Sequence, residues 1–358
     1  MSSLVGRALS IRRSRYTCAL SALITTPRSP RLSSSSASST ARSLLPLAVG
    51  PAISATAFLT GDCPLLIARL IADPDTLETS LDAATAALAE KGLAVADAQM
   101  LNACSDVLEL MLPGDNVAAL RETLDAHFPR SDAIIARGEF RIPNLFVSDM
   151  DSTMIGQECI DELADFAGLK EKIAAITERA MQGELDFESA LRERVGLLAG
   201  LDEGAIATCL ADRIVPMPGA RTLVATLKHR GCRTVLVTGG FHHFADPVAA
   251  DLGFERVVAN RLAVSEDRLS GQLVGGITDS SVKARVLQEE MSLLGDNAVS
   301  LATGDGANDI PMIEAATYGV AYHAKPKARA AANGWIDRGD LTSILKLLEI
   351  PERDWVMG

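Results

Sequence analysis

The 358-residue chain carries 34 Lys and Arg against 46 Asp and Glu, a formal net charge of -12, with 48% hydrophobic and 4% aromatic residues. That length exceeds one comfortable core and implies two folded domains. The negative charge argues against a nucleic-acid partner and against attraction to an anionic membrane. No apolar stretch suits a bilayer span, since the best one, 44–59, is broken by Pro46, Gly50 and Pro51.

Residues 1–60 stand apart. They hold Arg7, Arg12, Arg13, Arg15, Arg28, Arg31 and Arg42, a serine run from Ser33 to Ser36, and no acidic residue. Such a leader is not expected to fold alone and resembles an organellar transit peptide. An upstream translation start that adds a nonfunctional extension accounts for it equally well. The expected location is the cytoplasm, or an organelle matrix if the leader is a targeting signal. Cys18, Cys63, Cys104, Cys159, Cys209 and Cys232 form no Cys-x-x-Cys pair. They read as small buried hydrophobes in a reducing compartment.

Over 64–138 the periodicities alternate. A strand (Leu65 to Ile71) precedes a helix (Leu77 to Leu88) with Leu81, Ala84 and Leu88 on one face. Strands Val95 to Leu101 and Val107 to Leu112, a helix from Asn116 to His127 and a strand near Ala133 to Ala136 follow. This βαββαβ order predicts a small ferredoxin-like unit. It looks like an ACT-type regulatory domain, whose relatives often bind amino acids at domain or subunit interfaces. An amino-acid effector and a homodimer are therefore the expectations here, with a plain structural domain as the competing reading.

A second domain is expected over 143–348. Its first strand, Leu145-Phe146-Val147, runs into Asp149-Met150-Asp151-Ser152-Thr153. Two carboxylates one residue apart repel each other unless a cation or a proton neutralises them. Residues 157–213 then show only helical patterns, as in Ile160, Leu163, Ala164, Ala167 and in Phe187, Leu191, Val195, Leu198. This block reads as a helical cap inserted over the strand ends, with Pro216-Met217-Pro218-Gly219 at its exit. Alternation then resumes: helix Ala220 to His229, strand Thr234 to Thr238, helix from His242, hairpin Val257 to Gly276, helix Ser281 to Leu294, and strands Val299 to Ala302 and Gly319 to Tyr322. The fold class is α/β, a doubly wound parallel sheet.

A second acidic cluster, Gly304-Asp305-Gly306-Ala307-Asn308-Asp309, also follows a strand. Both clusters fall at the carboxyl edge of the sheet, where open α/β sheets bind ligands. The oxygen-only set Asp149, Asp151 and Asp305 suits Mg²⁺. The bland alternative is a set of capping and turn aspartates. A carboxylate can be a nucleophile toward phosphorus, with a second one protonating the leaving alcohol and then activating water. Gly239-Gly240 after Thr238 would let amides at a helix start approach an anion. Asp305 and Asp309 share a face if their turn is helical, with Pro311 tolerated in a first turn.

Arg194, seven residues after Phe187 and three after Leu191, lies on an apolar stripe. It either snorkels to solvent or meets a ligand carboxylate in a bidentate pair. His242-His243 lacks a third nitrogen or sulfur ligand nearby in sequence and is not read as a metal site.

From Pro143 to Leu348 the chain resembles the haloacid dehalogenase superfamily and, within it, the phosphoserine phosphatases. Asp149-x-Asp151, Thr238, Lys283 and the Gly304 to Asp309 cluster carry the resemblance, as does Phe187-Glu188-Ser189-Ala190-Leu191-Arg192-Glu193-Arg194 in the cap. Thr238 stands where many relatives have serine. The resemblance implies Mg²⁺-dependent hydrolysis of O-phospho-L-serine to L-serine and phosphate through a phosphoaspartate on Asp149, the last step of L-serine biosynthesis. It makes Asp151 the general acid/base. Thr238 and the Gly239 amide would hold phosphate oxygens, and Lys283, which alone carries almost no signal, would neutralise the phosphoryl charge. Asp305 would complete the Mg²⁺ site, with Asn308 and Asp309 positioning metal and lysine. Glu158 would receive the substrate ammonium and Arg194 its carboxylate, while Met181 and Phe187 close over the substrate. The rivals are a phosphotransferase or other small-phosphoester phosphatase on the same machinery, and a non-catalytic amino-acid sensor.

Overall fold

The computed structural model describes residues 64–181 and 184–358. The leader expected over 1–60, Cys18, Cys63 and the side chain of Met181 lie outside the described residues. Cys104, Cys159, Cys209 and Cys232 are free and buried. No helix among the described residues is long and apolar enough to cross a membrane.

The amino-terminal part comprises β1 (Leu65–Ile71), α1 (Leu77–Glu90), β2 (Asp97–Met100), β3 (Leu108–Pro113), α2 (Val117–His127) and β4 (Asp132–Arg137). Its strands lie in the order β2-β3-β1-β4, all antiparallel, the arrangement of a ferredoxin-like split unit. Leu66, Ala68 and Leu70 of β1 pack with Leu81, Ala84 and Leu88 of α1 and with Leu120 and Leu124 of α2. Successive strand residues face opposite ways, so the polar intruder on β1 is turned from this core. Arg69 is buried, pairs with Glu109 at 2.8 Å and donates to Leu347 O at 3.1 Å.

The rest of the chain forms β5 (Leu145–Ser148), α3 (Cys159–Phe166), α4 (Lys170–Met181), α5 (Phe187–Leu197), α6 (Gly204–Arg213), α7 (Ala220–His229), β6 (Arg233–Phe241), α8 (His242–Leu252), β7 (Arg256–Ser265), β8 (Arg268–Val274), α9 (Ser280–Leu294), β9 (Ser300–Gly304), α10 (Ile310–Ala315), β10 (Tyr318–Tyr322), α11 (Pro326–Ala331), β11 (Gly334–Ile336) and α12 (Thr342–Leu347). Strands β11-β10-β9-β5-β6-β7 are parallel, and β8 pairs antiparallel with β7 at the edge. Central β5 is buried at every residue, as a parallel strand covered on both faces must be. The chain leaves β5 for α3–α6, the expected helical block, and returns through α7 to β6, the next strand of the sheet.

Two features differ from expectation. The strands expected from the sequence end with β10, whereas the structure adds β11, which is too short to show a periodicity. β11 pairs antiparallel with β4 through Gly334↔Ile134, Trp335↔Ala133 and Ile336↔Asp132. One eleven-stranded sheet therefore runs through both parts of the molecule. The other correction concerns β6, which continues to Phe241 and shifts register against β7 between Val237 and Phe241. Thr238-Gly239-Gly240 thus lies on an irregular strand end, a place where bulges re-aim side chains, and not at the start of α8.

Candidate active site

The strand ends β5, β6 and β9 deliver Asp149, Thr238 and Asp305 to one cavity of about 240 Å³. Asp151, Gly239 and Asn308 line it from the sheet side, and Glu158, Phe187 and Arg194 from the cap side. Its volume falls below the roughly 300–1,000 Å³ of drug-sized pockets. A small ligand fits it.

Asp149 and Asp309 flank Lys283, which is fully buried with its Nζ 2.7 Å from one oxygen of each. The bond to Asp309 is aligned as a hydrogen bond. Asp149 Oδ1, by contrast, lies at ion-pair distance without hydrogen-bond alignment and counts among the buried oxygens lacking such a partner. Lys283 is thus held between Asp149 and Asp309 and is not among the residues that line the cavity. Burial disfavours its charge, but the two carboxylates prevail and raise its pKa.

Asp309 folds back on its own turn. Its Oδ2 accepts from the amides of Asp305 and Gly306 at 3.2 and 3.0 Å. The chain passes through a 3-10 turn at Ala307–Asp309 before α10, so the pair Asp305 and Asp309 is brought together by this fold-back and not by one continuous helical face.

Oxygens of Asp149, Asp305 and Asp309 lie within 4.8 Å of one another. Of the expected set Asp149, Asp151 and Asp305, Asp149 and Asp305 fall in this cluster, with Asp309 as its third member. Asp151 lines the cavity beside Gly240, and one of its oxygens is buried without a hydrogen-bond partner. Burial first, then the charge of Glu158, pushes its pKa up to about 7. Burial and Asp309 raise that of Asp149 well above the ordinary carboxylate range despite Lys283. Burial also raises that of Asp305, against the pull of Lys325. Three converging carboxylates and one buried lysine leave excess negative charge, and the donors are all oxygen. A hard divalent cation fits this set.

Thr238 is buried, and its Oγ1 accepts from the Gly240 amide at 2.9 Å. A Cβ on Gly240 would lie 3.2 Å from Asp151 Oδ2 and from Thr238 Oγ1, so glycine keeps this wall open. Phe187, 40% exposed at the start of α5, extends its ring tip over Gly239.

Arg194, in the last turn of α5, donates from Nε to Ala190 O at 3.3 Å. It has no ion-pair partner among the described residues; burial works against its charge, while Asp161 and Glu158 support it. Glu158 accepts from the Ser152 hydroxyl at 2.9 Å, and burial raises its pKa although this bond opposes the rise.

Two further residues, Lys325 and Asn260, contribute without belonging to any motif. Lys325 lines the cavity with its Nζ 3.5 Å from Asp305 Oδ2. It follows the end of β10, so the strand-end logic applied to the acidic motifs would have found it. Buried Asn260 donates to Gly239 O at 2.7 Å and accepts from the Thr278 amide at 2.8 Å. It ties the irregular end of β6 to the approach to α9, and a lone asparagine on a strand gives no signal of that.

Fold and site together define a doubly wound α/β protein with carboxylates at the carboxyl edge of its parallel strands, closed by a helical cap. Residues 146–314 match the family described as haloacid dehalogenase-like hydrolase. The phosphoserine phosphatase of Albidiferax ferrireducens is 43% identical over 57% of this chain and 89% of its own. A probable phosphoserine phosphatase from Vibrio cholerae superimposes with a TM-score of 0.61 and 30% identity, covering 81% of this chain and 88% of that one. A substrate-bound phosphoserine phosphatase complex gives 0.53 and 36%, covering 57% and 98%. The chain belongs to the haloacid dehalogenase-like hydrolases, within their phosphoserine phosphatase family, and is a phosphatase.

Proposed function

We propose that the chain hydrolyses O-phospho-L-serine to L-serine and phosphate with Mg²⁺. One observation carries this reading: the cavity that joins Asp149, Asp151, Thr238 and Asp305 also presents Glu158 and Arg194 from the cap. A phosphate-transfer floor faces a cation reader and an anion reader, and the substrate is a phosphoester bearing both an ammonium and a carboxylate. The family's named substrates accord with this.

Asp149 attacks phosphorus, forming the Asp149–phosphoryl bond as the serine oxygen departs. Asp151 is suited to protonate that oxygen because burial holds its proton up to about pH 7. The resulting carboxylate then takes a proton from the water that cleaves the phosphoaspartate. Thr238 and the Gly239 amide hold phosphoryl oxygens, and Lys283, beside Asp149, neutralises the phosphoryl charge. Asn308 orients the phosphoryl group, and Asp309 holds Lys283. Arg194 pairs with the substrate carboxylate, Glu158 with its ammonium, and Phe187, with Met181, excludes water. Mg²⁺, held by Asp149, Asp151 and Asp305, would supply positive charge to the phosphoryl oxygens. The amino-terminal domain is assigned an amino-acid effector and a homodimer contact.

Phosphate release tests the reading. Phosphoserine should turn over well ahead of phosphoethanolamine and sugar phosphates, chelator should abolish release, and Asp149→Asn should remove several orders of magnitude of rate. Arg194→Met should cut the preference for phosphoserine over phosphoethanolamine roughly 10- to 100-fold, the worth of a charged hydrogen bond. Equal turnover of all substrates by the parent chain would refute the assignment.

A further inference from the structure

α11 is a short helix held at both ends by groups foreign to it. At its amino end the Lys325 amide donates to Asp305 O at 2.8 Å, and the Lys325 ammonium stands 3.5 Å from Asp305 Oδ2. At its carboxyl end the carbonyls of Arg329 and Ala332 accept from the two terminal nitrogens of Arg121, a residue of α2 in the amino-terminal domain. Carbonyls in the last turn of a helix have no partner within it, and a guanidinium fork is the side chain best shaped to take two.

The grip is braced. Arg121 and Arg329 both lie over the buried Trp335 ring, at 5.2 and 4.0 Å from its centroid. Arg329 pairs with Asp125 of α2 at 2.7 Å and with Asp337 at 3.0 Å. Six residues of helix thus connect α2 to the backbone of Asp305.

We propose that Arg121 is a positioning residue for Asp305: by fixing the far end of α11, the amino-terminal domain sets where the Asp305 carboxylate stands in the cation site. This rests on the reading of Asp305 as a Mg²⁺ ligand. Arg121 touches no reacting atom and acts through α11 alone.

The test is Mg²⁺ affinity by calorimetry on the full chain, beside kcat, KM and Tm, for Arg121→Met and Arg121→Lys. Arg121→Met keeps the apolar stem and loses both donors. It should weaken Mg²⁺ binding roughly 3- to 30-fold, the range of coupling changes for residues remote from a ligand, with kcat at subsaturating Mg²⁺ falling in step and KM for phosphoserine little changed. Arg121→Lys, which can satisfy one carbonyl, should recover part of the affinity. Arg69→Met serves as the control, because Arg69 clamps the same two parts of the molecule through Leu347 O, away from α11. It should lower Tm and leave Mg²⁺ affinity unchanged. Unchanged affinity in Arg121→Met, or an equal loss in Arg69→Met, overturns the proposal. A parent chain that binds no Mg²⁺ overturns the metal reading itself, an outcome distinct from either.

Discussion

Gly304 is held to glycine by contact, since a Cβ there would collide with Asp309. Asp309 in turn carries Lys283 and the amides of Asp305 and Gly306, so one methyl group would disturb the cation cluster and the lysine together. Gly304→Ala should cost about 1–3 kcal/mol in urea unfolding and reduce activity beyond what that stability loss explains. Retained activity in a stably folded variant would show that the fold-back of Asp309 tolerates displacement. Residues of this kind divide by legibility. Asp149, Asp151 and Asp305 were visible because charge at a strand end is costly and must be answered. Arg194 was visible as a charge on an apolar stripe. Glu158 was read only through the family resemblance, and Asn260 not at all, because its partners, Gly239 and Thr278, are remote in sequence.

At the scale of elements, α9 shows how local chemistry serves the site. Asp279 caps it, its Oδ1 accepting from the amides of Ser281 and Val282 at 2.9 and 3.0 Å. The helix then holds Lys283 in its first turn. The Ser281 side chain and these amides hold the Asp279 carboxyl below its ordinary value of 3.8. A folded-state value below the unfolded one means that the cap stabilises above the unfolded pKa and loses its effect as pH falls through the folded one. Asp279→Ala should cost about 1 kcal/mol at neutral pH, and the gap between parent and variant should shrink as pH drops below 3.8. A gap independent of pH would place the loss elsewhere than in the carboxylate. The helices and strands of the core were legible because their periods differ, 3.6 against 2. β11 was not, since Gly334-Trp335-Ile336 is shorter than either period needs. The extension of β6 to Phe241 was hidden by its two glycines, which suggest a turn whether or not the strand continues.

The molecule as a whole is joined where the chain reads as divided. β4 pairs with β11, and buried Asp132 on β4 accepts from the amides of Asp337, Arg338 and Gly339 and from the Ser343 hydroxyl. A shared sheet and a shared hydrogen-bond knot couple the unfolding of the two parts. Urea unfolding followed by tryptophan fluorescence, which reports Trp335 at the junction together with Trp355, should coincide with the loss of far-ultraviolet circular dichroism in one transition. Two resolved transitions would contradict the coupling.

The sequence by itself determined the chemistry and the class of fold. Carboxylates at strand ends, alternating periods and an all-helical insertion are local patterns, written by the steric and electrostatic cost of each residue where it stands. Only the tertiary structure decided which oxygens converge. It put Asp309 beside Asp149 and Asp305, buried Lys283 between Asp149 and Asp309 and brought Lys325 to the cavity. Those placements depend on strand order and on the approach of segments far apart in the chain, which no local pattern encodes. The acidic pair that begins at Asp149 foretold a charged site; the packing of β5, β6, β9 and the cap determined its geometry.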